Sequence, residues 1–546
     1  IFFRPLHPTS PDIMHRVLSV VGRRAGRAAP LCARATRWHM LPPGTIPVGV
    51  SAMAVYVPRL RVRLEDWCEW TGNDWSKVKY VVGRSFRMCS PHENLYTMAA
   101  NAVVQLILQN DIDPQEIGFL GLGTESSTDN AAGAVIVLGM VNMALERMGM
   151  PRLPRSCEVP EFKHACLGGI YALKAACRMT TLDHRGRKAI VVCGDIAEYE
   201  RGSSGEQTQG AGCCAMLVER DPDLFYVDLA RAGSSSAYRG PDFRKPFSRH
   251  FHESFAPNTL RHCDFPVFSG KYSATAYLDA TAHAVEDMCD QLETTAGHYY
   301  REEVKALFFH RPFAMMPIQA AAFMYVRGMA RGTHHHDELR SLCGEAKVEY
   351  EDVLRETSME HDLFGSLQKQ LKVSDPFPNT RQCAKVLQKS EEFAELLKKK
   401  MSLGSSLIEH LGNLYSAALP AWIAAAFDEA HRTGIELEGQ PMVAVGYGSG
   451  DAAEALPIIA APNWNKAAQL ICVEEAMADG INLTRPQYET IHDGTYTQDP
   501  LFDPCNEFII KRVGNVYEPD YQDLGVEYYD YIMGPCPVPK PKCFAV

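Results

Sequence analysis

The 17 cysteines of this 546-residue chain include no pair at C-x-x-C spacing. That absence argues against a zinc ribbon or a disulfide framework and for free thiols in a reducing compartment. No apolar run reaches the ~18 residues of a membrane-spanning helix. The best candidates, residues 131–140 and 417–427, are shorter and contain Gly or Pro, so they read as buried helices. Net positive charge is lacking too. At −11, the balance disfavours nucleic acid or an anionic membrane surface as the main partner, although a local basic patch can still bind an anionic cofactor. His334, His335 and His336 are consecutive and so do not share a helix face, and no acid or cysteine is read at ligand spacing; a surface loop is expected there and no metal site.

Acids are missing from one further place. None occurs between Asp12 and Glu65, while arginines fall at 16, 23, 24, 27, 34 and 37 in an Ala-rich stretch. This is the composition of a mitochondrial transit peptide, so a matrix location is expected. The sequence opens with Ile, and Met14 is the expected start of the protein. Residues 1–42 are set aside from the fold. What remains, in a chain 46% hydrophobic and 22% charged, is ordinary globular composition, long enough for several cores.

The folded part is expected to begin with a strand over 47–62. Residues 116–124 (EIGFLGLGT) and 188–195 (KAIVVCGD) read as buried strands. Between them lies EVPEFKHACLGGIYALKAA (158–176), where Cys166 and two glycines lead into a helix. The second half repeats the order. Residues 303–310 (EVKALFFH) form a strand, 412–427 a helix opening GNLYS beside GGIYA, and 441–449 (PMVAVGYGS) a strand. Strand, helix, strand in both halves points to an internal duplication. In an open α/β sheet, reactive groups gather beyond the carboxyl ends of strands. Glu125, Asp195, His310 and Ser449 stand at such ends, and Cys166 and Asn413 at helix starts. A surface helix is expected over 390–400, acids first and lysines last. The stretch from Pro519 onward, rich in proline, is expected to wrap the surface or fray.

These residue types have a chemistry in common. A cysteine at a helix N-terminus, where the dipole favours a thiolate, can accept an acyl group. A partly buried carboxylate can remove a proton, and a histidine can hydrogen-bond a carbonyl. Together they serve acyl transfer followed by carbon–carbon bond formation.

The segments GTESSTDN (123–130), EFKHACLGG (161–169), GDIAEYERG (194–202), GPDFRKPF (240–247), FFHRPF (308–313), GNLYS (412–416) and GYGSG (446–450) occur in one order. In that order, from about residue 46 to about 500, the chain resembles the 3-hydroxy-3-methylglutaryl-CoA synthase family of the thiolase superfamily. The resemblance implies an α/β fold of the thiolase type, duplicated and in five αβαβα layers, as a homodimer. Its N-terminal half would be 43–230 and its C-terminal half 231–500, with 501–546 as an extension. It implies that acetyl-CoA acylates Cys166, that Glu125 deprotonates the acetyl methyl group, and that the enolate attacks acetoacetyl-CoA positioned by His310. Water then releases the product, for isoprenoid or ketone-body synthesis. The thioesters of coenzyme A are substrates, and no separate cofactor is implied. Backbone N–H groups of Cys166 and Ser449 are implied as an oxyanion hole, Asp129, Asp195, Asp242 and Phe243 as supports, and Ser203, Ser273, Asn413, Tyr447 and Ser449 as substrate contacts.

Three positions depart from the family pattern. Leu167 stands where a tyrosine is usual, and Met315 and Gln319 where lysines help hold coenzyme A; Arg311 or Lys245 are the substitutes considered for that task. The insert after Arg327 has no evident counterpart. A ketoacyl synthase acting on acyl carrier protein also uses Cys, His and Asn, but gives a base such as Glu125 no task. A catalytically inactive scaffold is the reading from a different class.

Overall fold

The apolar runs of the sequence become the strands of one ten-stranded sheet in the computed structural model. It describes residues 41–42, 44–127, 133–183, 185–240, 242, 266, 270–332, 334–361, 363, 375–497 and 500–534. The expected transit segment up to residue 40, Asp129, Phe243, Lys245 and residues 535–546 lie outside the described residues. In chain order the strands are β1 (Val48–Tyr56), β2 (Ile117–Gly123), β3 (Glu161–Phe162), β4 (Lys188–Ala197), β5 (Gly210–Arg220), β6 (Phe225–Val227), β7 (Gly233–Ser236), β8 (Ala306–Phe309), β9 (Pro441–Gly448) and β10 (Ala452–Ala460). Their spatial order is β8-β9-β10-β6-β1-β5-β4-β2-β3, with β7 also on β10. Strands β2, β9 and β10 are buried at every residue, which is why they read as unbroken apolar runs rather than as alternating ones.

The expected strand over 47–62 is two strands. Pro58, without an N–H to give, lies between β1 and Leu60–Arg63, and the latter joins Ser85–Met88 and Ile481–Asn482 in a separate small sheet.

Six helices place the layers: α1 (Leu95–Gln109), α2 (Gly133–Arg147), α3 (Gly168–Leu182), α4 (Gly270–Gln291), α5 (Met315–Arg331) and α6 (Ala418–Thr433). Helix α1 covers β1, β4 and β5, with α2 beside it; α4 covers β7, β9 and β10, with α5 beside it. Helix α3 packs on β2, β4 and β5 and reaches the other arm of the sheet through the buried ion pair Lys174 Nζ–Glu454 Oε2, 2.5 Å. Helix α6 packs on β8 and β9 but also on β1 and β5. Thus α3 and α6 form the middle layer between the two arms.

The duplication is visible in the pairing. Strands β2 and β4 are parallel, flank α3 in sequence, and are followed by antiparallel β5. Strands β8 and β9 are parallel, flank α6, and are followed by antiparallel β10. Residues 43–230 supply β1–β6 and residues 231–500 supply β7–β10. Strand β6 pairs with both β1 and β10 and joins the two arms.

Three local expectations are revised. Residues 412–417 are not yet helix: a short 3-10 turn, Tyr415–Ala417, precedes α6. The region after Pro519 is not frayed throughout, because Glu527–Ile532 pairs with Glu507–Val513, and Phe508 and Tyr531 are buried against α1. The histidine run is a helix start rather than a loop. His336 opens His336–Ala346, and His335 Nδ1 lies 3.2 Å from Glu338 Oε2, so an acid does stand at helical spacing. No group of three metal-binding side chains occurs among the described residues. The surface helix is present as Glu391–Lys400, capped by Ser390. The insert after Arg327 continues α5 to Arg331 and adds the helices His336–Ala346, Tyr350–Ser358 and Pro378–Leu387, all packed on α5.

Candidate active site

Small residues bring the cysteine loop against two strand ends. A methyl group on Gly123, the last residue of β2, would lie 2.5 Å from Gly169 N; one on Gly448, the last of β9, would lie 2.4 Å from His164 O. Only glycine permits approaches this close. The loop between them is tightly turned. Ala165 takes a left-handed conformation (φ 43°), which costs a non-glycine residue about 1–2 kcal/mol. Leu167 then caps α3.

Asp195, at the end of β4 and fully buried, ties three segments together. Its Oδ1 accepts from Thr124 Oγ1 (2.7 Å), Glu125 N (2.8 Å), Ser126 N (2.9 Å) and Ser126 Oγ (2.8 Å). Its Oδ2 accepts from Ser416 N (2.9 Å) and Ser416 Oγ (2.5 Å). Burial pushes this carboxyl up, against those donors, which favour the charged form. The turn after β2 is thereby fixed, and it carries Glu125 to the sulfur: Cys166 Sγ donates to Glu125 Oε2 at 3.7 Å. Cys166 also packs with Ala197, Tyr199 and Tyr415.

The expected thiolate is not the resting state. Burial, then the charge of Glu125 and that of Asp195, push the Cys166 thiol far above its ordinary value. The helix dipole is outweighed because the sulfur is buried and the carboxylates of Glu125 and Asp195 act on it. His310, just past β8, is 2% exposed. Burial lowers its imidazole to about 3, so it is neutral across the physiological range. Its ring lies 6.4 Å from that of Tyr447, and Tyr277 Oη donates to its carbonyl at 3.0 Å.

A cavity of about 300 Å³ brings the pieces together. Cys166, Asp242, Ser273, His310, Asn413, Tyr447 and Ser449 all line it. Glu125 meets the sulfur but is not part of the lining. Ser203 does not line it either; its neighbour Ser204 does. Tyr447 Oη donates to Asp242 Oδ2 at 2.6 Å, and Asn413 Oδ1 accepts from Tyr415 N at 3.0 Å. Sequence reasoning passed over Tyr199 and Tyr415, although both stand inside quoted segments, and also Val82, Phe313 and Met316, which make much of the wall apolar. An aromatic ring in a motif looks like any other core aromatic until its neighbours are known.

The departures also find places. Leu167 is fully buried and lies against Gly446 and Gly448, away from the cavity wall. Met316, not Met315 or Gln319, lines the cavity. Arg311 is not available to a phosphate: its guanidinium holds Ser405 Oγ (2.8 Å) and Glu409 Oε1 (3.6 Å) over the ring of Trp422.

Comparison with known proteins points to one family. Residues 45–223 match the family described as hydroxymethylglutaryl-coenzyme A synthase N terminal. A hydroxymethylglutaryl-CoA synthase of Haloferax volcanii is 28% identical over 87% of this chain and 99% of its own length. The mitochondrial hydroxymethylglutaryl-CoA synthase of Sus scrofa is 25% identical over 82% of this chain and 77% of its own. Among solved structures, MvaS in complex with 3-hydroxy-3-methylglutaryl coenzyme A has a TM-score of 0.68 at 24% identity, covering 89% of this chain and all of that one. At that identity the likeness shows the thiolase-like fold.

Proposed function

We propose that this chain, which belongs to the hydroxymethylglutaryl-CoA synthase family, condenses acetyl-CoA with acetoacetyl-CoA and water to 3-hydroxy-3-methylglutaryl-CoA and CoA. The observation that carries the reading is one cavity walled by Cys166, His310, Asn413 and Tyr447, with the carboxylate of Glu125 3.7 Å from the sulfur.

Cys166 Sγ attacks the acetyl carbonyl, its proton leaves, and the departing CoA sulfur takes up a proton. The backbone N–H groups of Cys166 and Ser449 receive the carbonyl oxygen as charge develops on it. Glu125 then removes a proton from the methyl group of the acetyl-cysteine. The enolate carbon then bonds to the ketone carbon of acetoacetyl-CoA while His310, neutral and buried, donates an N–H hydrogen bond to the ketone oxygen; the alkoxide formed there takes up the proton held by Glu125. Asn413 and Tyr447 orient the same substrate, and the apolar wall of Val82, Phe313 and Met316 accommodates the pantetheine arm. Water finally cleaves the thioester and frees the thiol. Asp195 holds the Glu125 turn throughout, and Asp242 holds the hydroxyl of Tyr447.

Incubation with labelled acetyl-CoA followed by mass spectrometry tests the first step: one acetyl group on Cys166 is expected, and none on the protein identifies an inactive scaffold. Glu125→Ala should still acetylate, because removing that charge makes the Cys166 thiol more acidic, yet fail to condense. Condensation at the wild-type rate by Glu125→Ala overturns the base. Turnover of a malonyl thioester identifies a ketoacyl synthase instead.

The working protein is a homodimer in the mitochondrial matrix. The arginine-rich, acid-free stretch over residues 14–40 supports the location, as do mitochondrial relatives. Light scattering and the import of a fusion carrying residues 1–42 check the two statements.

A further inference from the structure

Ser204, Gly205, Gln207 and Thr208 form one wall of the cavity. Glu206 stands among them, does not line the cavity, and is only 3% exposed. Its side chain turns the other way, towards the core of the small sheet. Oε1 accepts from Trp67 Nε1 at 3.0 Å and from Tyr488 Oη at 2.6 Å, and Oε2 accepts from Gly202 N at 2.6 Å. Trp67 lies in the helix Leu64–Thr71 and Tyr488 in the helix Arg485–His492, so this carboxylate ties the wall to two distant segments. Both helices share one apolar cluster with the strands of that sheet.

The hydroxyl of Tyr488 has a second partner. Gln209 Nε2 lies 3.1 Å from it, and at the other end of the same amide Gln209 Oε1 lies 3.0 Å from Tyr199 N. A backbone N–H can only donate, which fixes the amide: Oε1 accepts from Tyr199, and Nε2 donates to Tyr488. Tyr488 then gives its own proton to Glu206. Its ring is held in place between Trp70 and Phe86, with centroids 6.0 Å from each. Burial, then the hydrogen bond to Glu206, push the hydroxyl far above its ordinary value, so the proton stays. Tyr199 packs on Cys166. One buried oxygen therefore joins two parts of the cavity, the 204–208 wall through Glu206 and the wall beside the sulfur through Gln209.

We propose that Tyr488 is a positioning residue for thioester binding: its hydroxyl sets the spacing between Tyr199 and the 204–208 wall, and with it the width of the cavity. The proposal rests on the synthase reading for the identity of the thioester. Tyr488, Glu206 and Gln209 do not line the cavity, so they act through the walls they hold. Those walls contact the substrate before and during the reaction alike, and loosening them falls on KM rather than on kcat.

Steady-state kinetics of Tyr488→Phe, which removes one oxygen and keeps the ring, test this. KM for acetyl-CoA should rise about tenfold, with kcat lowered far less. Glu206→Gln should act in the same direction, and the double variant should be no worse than the worse single one, because the two belong to one network. An unmoved KM in Tyr488→Phe, or increases in KM that multiply in the double variant, overturns the proposal. A second readout uses the full chain labelled with 5-fluorotryptophan, the Trp67 fluorine resonance being assigned with Trp67→Phe. Added CoA should shift that resonance, since Glu206 holds both the indole and the wall. CoA that binds by calorimetry and leaves Trp67 unmoved overturns the proposal even where Tyr488→Phe does not fold. CoA that does not bind at all sinks the synthase reading, and the proposal with it.

Discussion

The starts of α3 and α6 share one backbone and carry different chemistry. Leu167, capping α3, has φ −88° and ψ −8°; Ala417, capping α6, has φ −89° and ψ −10°. Two residues earlier, Ala165 and Tyr415 both take φ 43°. The residue between is Cys166 in one case and Ser416 in the other. Cys166 looks into the cavity. Ser416 is 1% exposed, and its Oγ donates to Asp195 Oδ2 (2.5 Å) and Gly123 O (2.9 Å). The same turn therefore presents the proposed nucleophile in one half and, in the other, a clasp on the Asp195 carboxylate that holds the Glu125 turn. The duplicated backbone sets the position; what the side chain meets there sets the role.

The most direct way to break this comparison is to exchange the two residues. Cys166→Ser combined with Ser416→Cys should lose acetyl transfer by about 10³-fold or more, because position 416 does not line the cavity. An acetyl group found on residue 416 by mass spectrometry would show the two turns to be interchangeable. Next comes the approach that only the first turn needs. Gly448→Ala places a methyl group 2.4 Å from His164 O and 2.8 Å from Leu167 Cβ. Overpacking of this kind costs about 1–3 kcal/mol, read as a lower urea midpoint with slower acetylation of Cys166. Ser416→Ala removes a buried donor and leaves Asp195 short of a partner. About 1–2 kcal/mol is expected, with condensation slowed more than acetylation, since the Glu125 turn is what loosens. Equal slowing of both steps would assign Ser416 to stability alone.

The effect that depends on pH concerns His310. Burial lowers its folded value to about 3, whereas the unfolded chain titrates near ~6.5. As pH falls below ~6.5, the unfolded state binds a proton that the folded state refuses, so stability is lost progressively down to the folded value. His310→Asn should flatten that part of the stability–pH curve in urea titrations. A curve unchanged by the substitution would mean that the ring charges freely in the folded protein.

The strand ends were legible because buried strands are unbroken apolar runs closed by one polar residue, as in EIGFLGLGT before Glu125 and EVKALFFH ending at His310. The clasp was not. GNLYS invites alignment with GGIYA by its glycine, and that places Asn413 at a helix start. The glycine of GNLYS serves a different need: Gly412 has φ 78°, and a methyl group there would lie 1.9 Å from Gln209 O. Arg311 read as a free cation, since nothing in FFHRPF tells that Ser405 and Glu409, far along the chain, occupy its guanidinium.

The sequence by itself determined the order of strands and helices, the repeated strand–helix–strand pattern, and the polar side chains at their ends, because each follows from local apolar period and from short segments. Only the tertiary structure decided that Cys166 rests as a thiol, that Ser416 rather than Asn413 is its counterpart, and that Asp279 and Asp451 share one arginine. Those properties depend on burial and on charges brought together from distant parts of the chain, and neither has a signature in residue spacing.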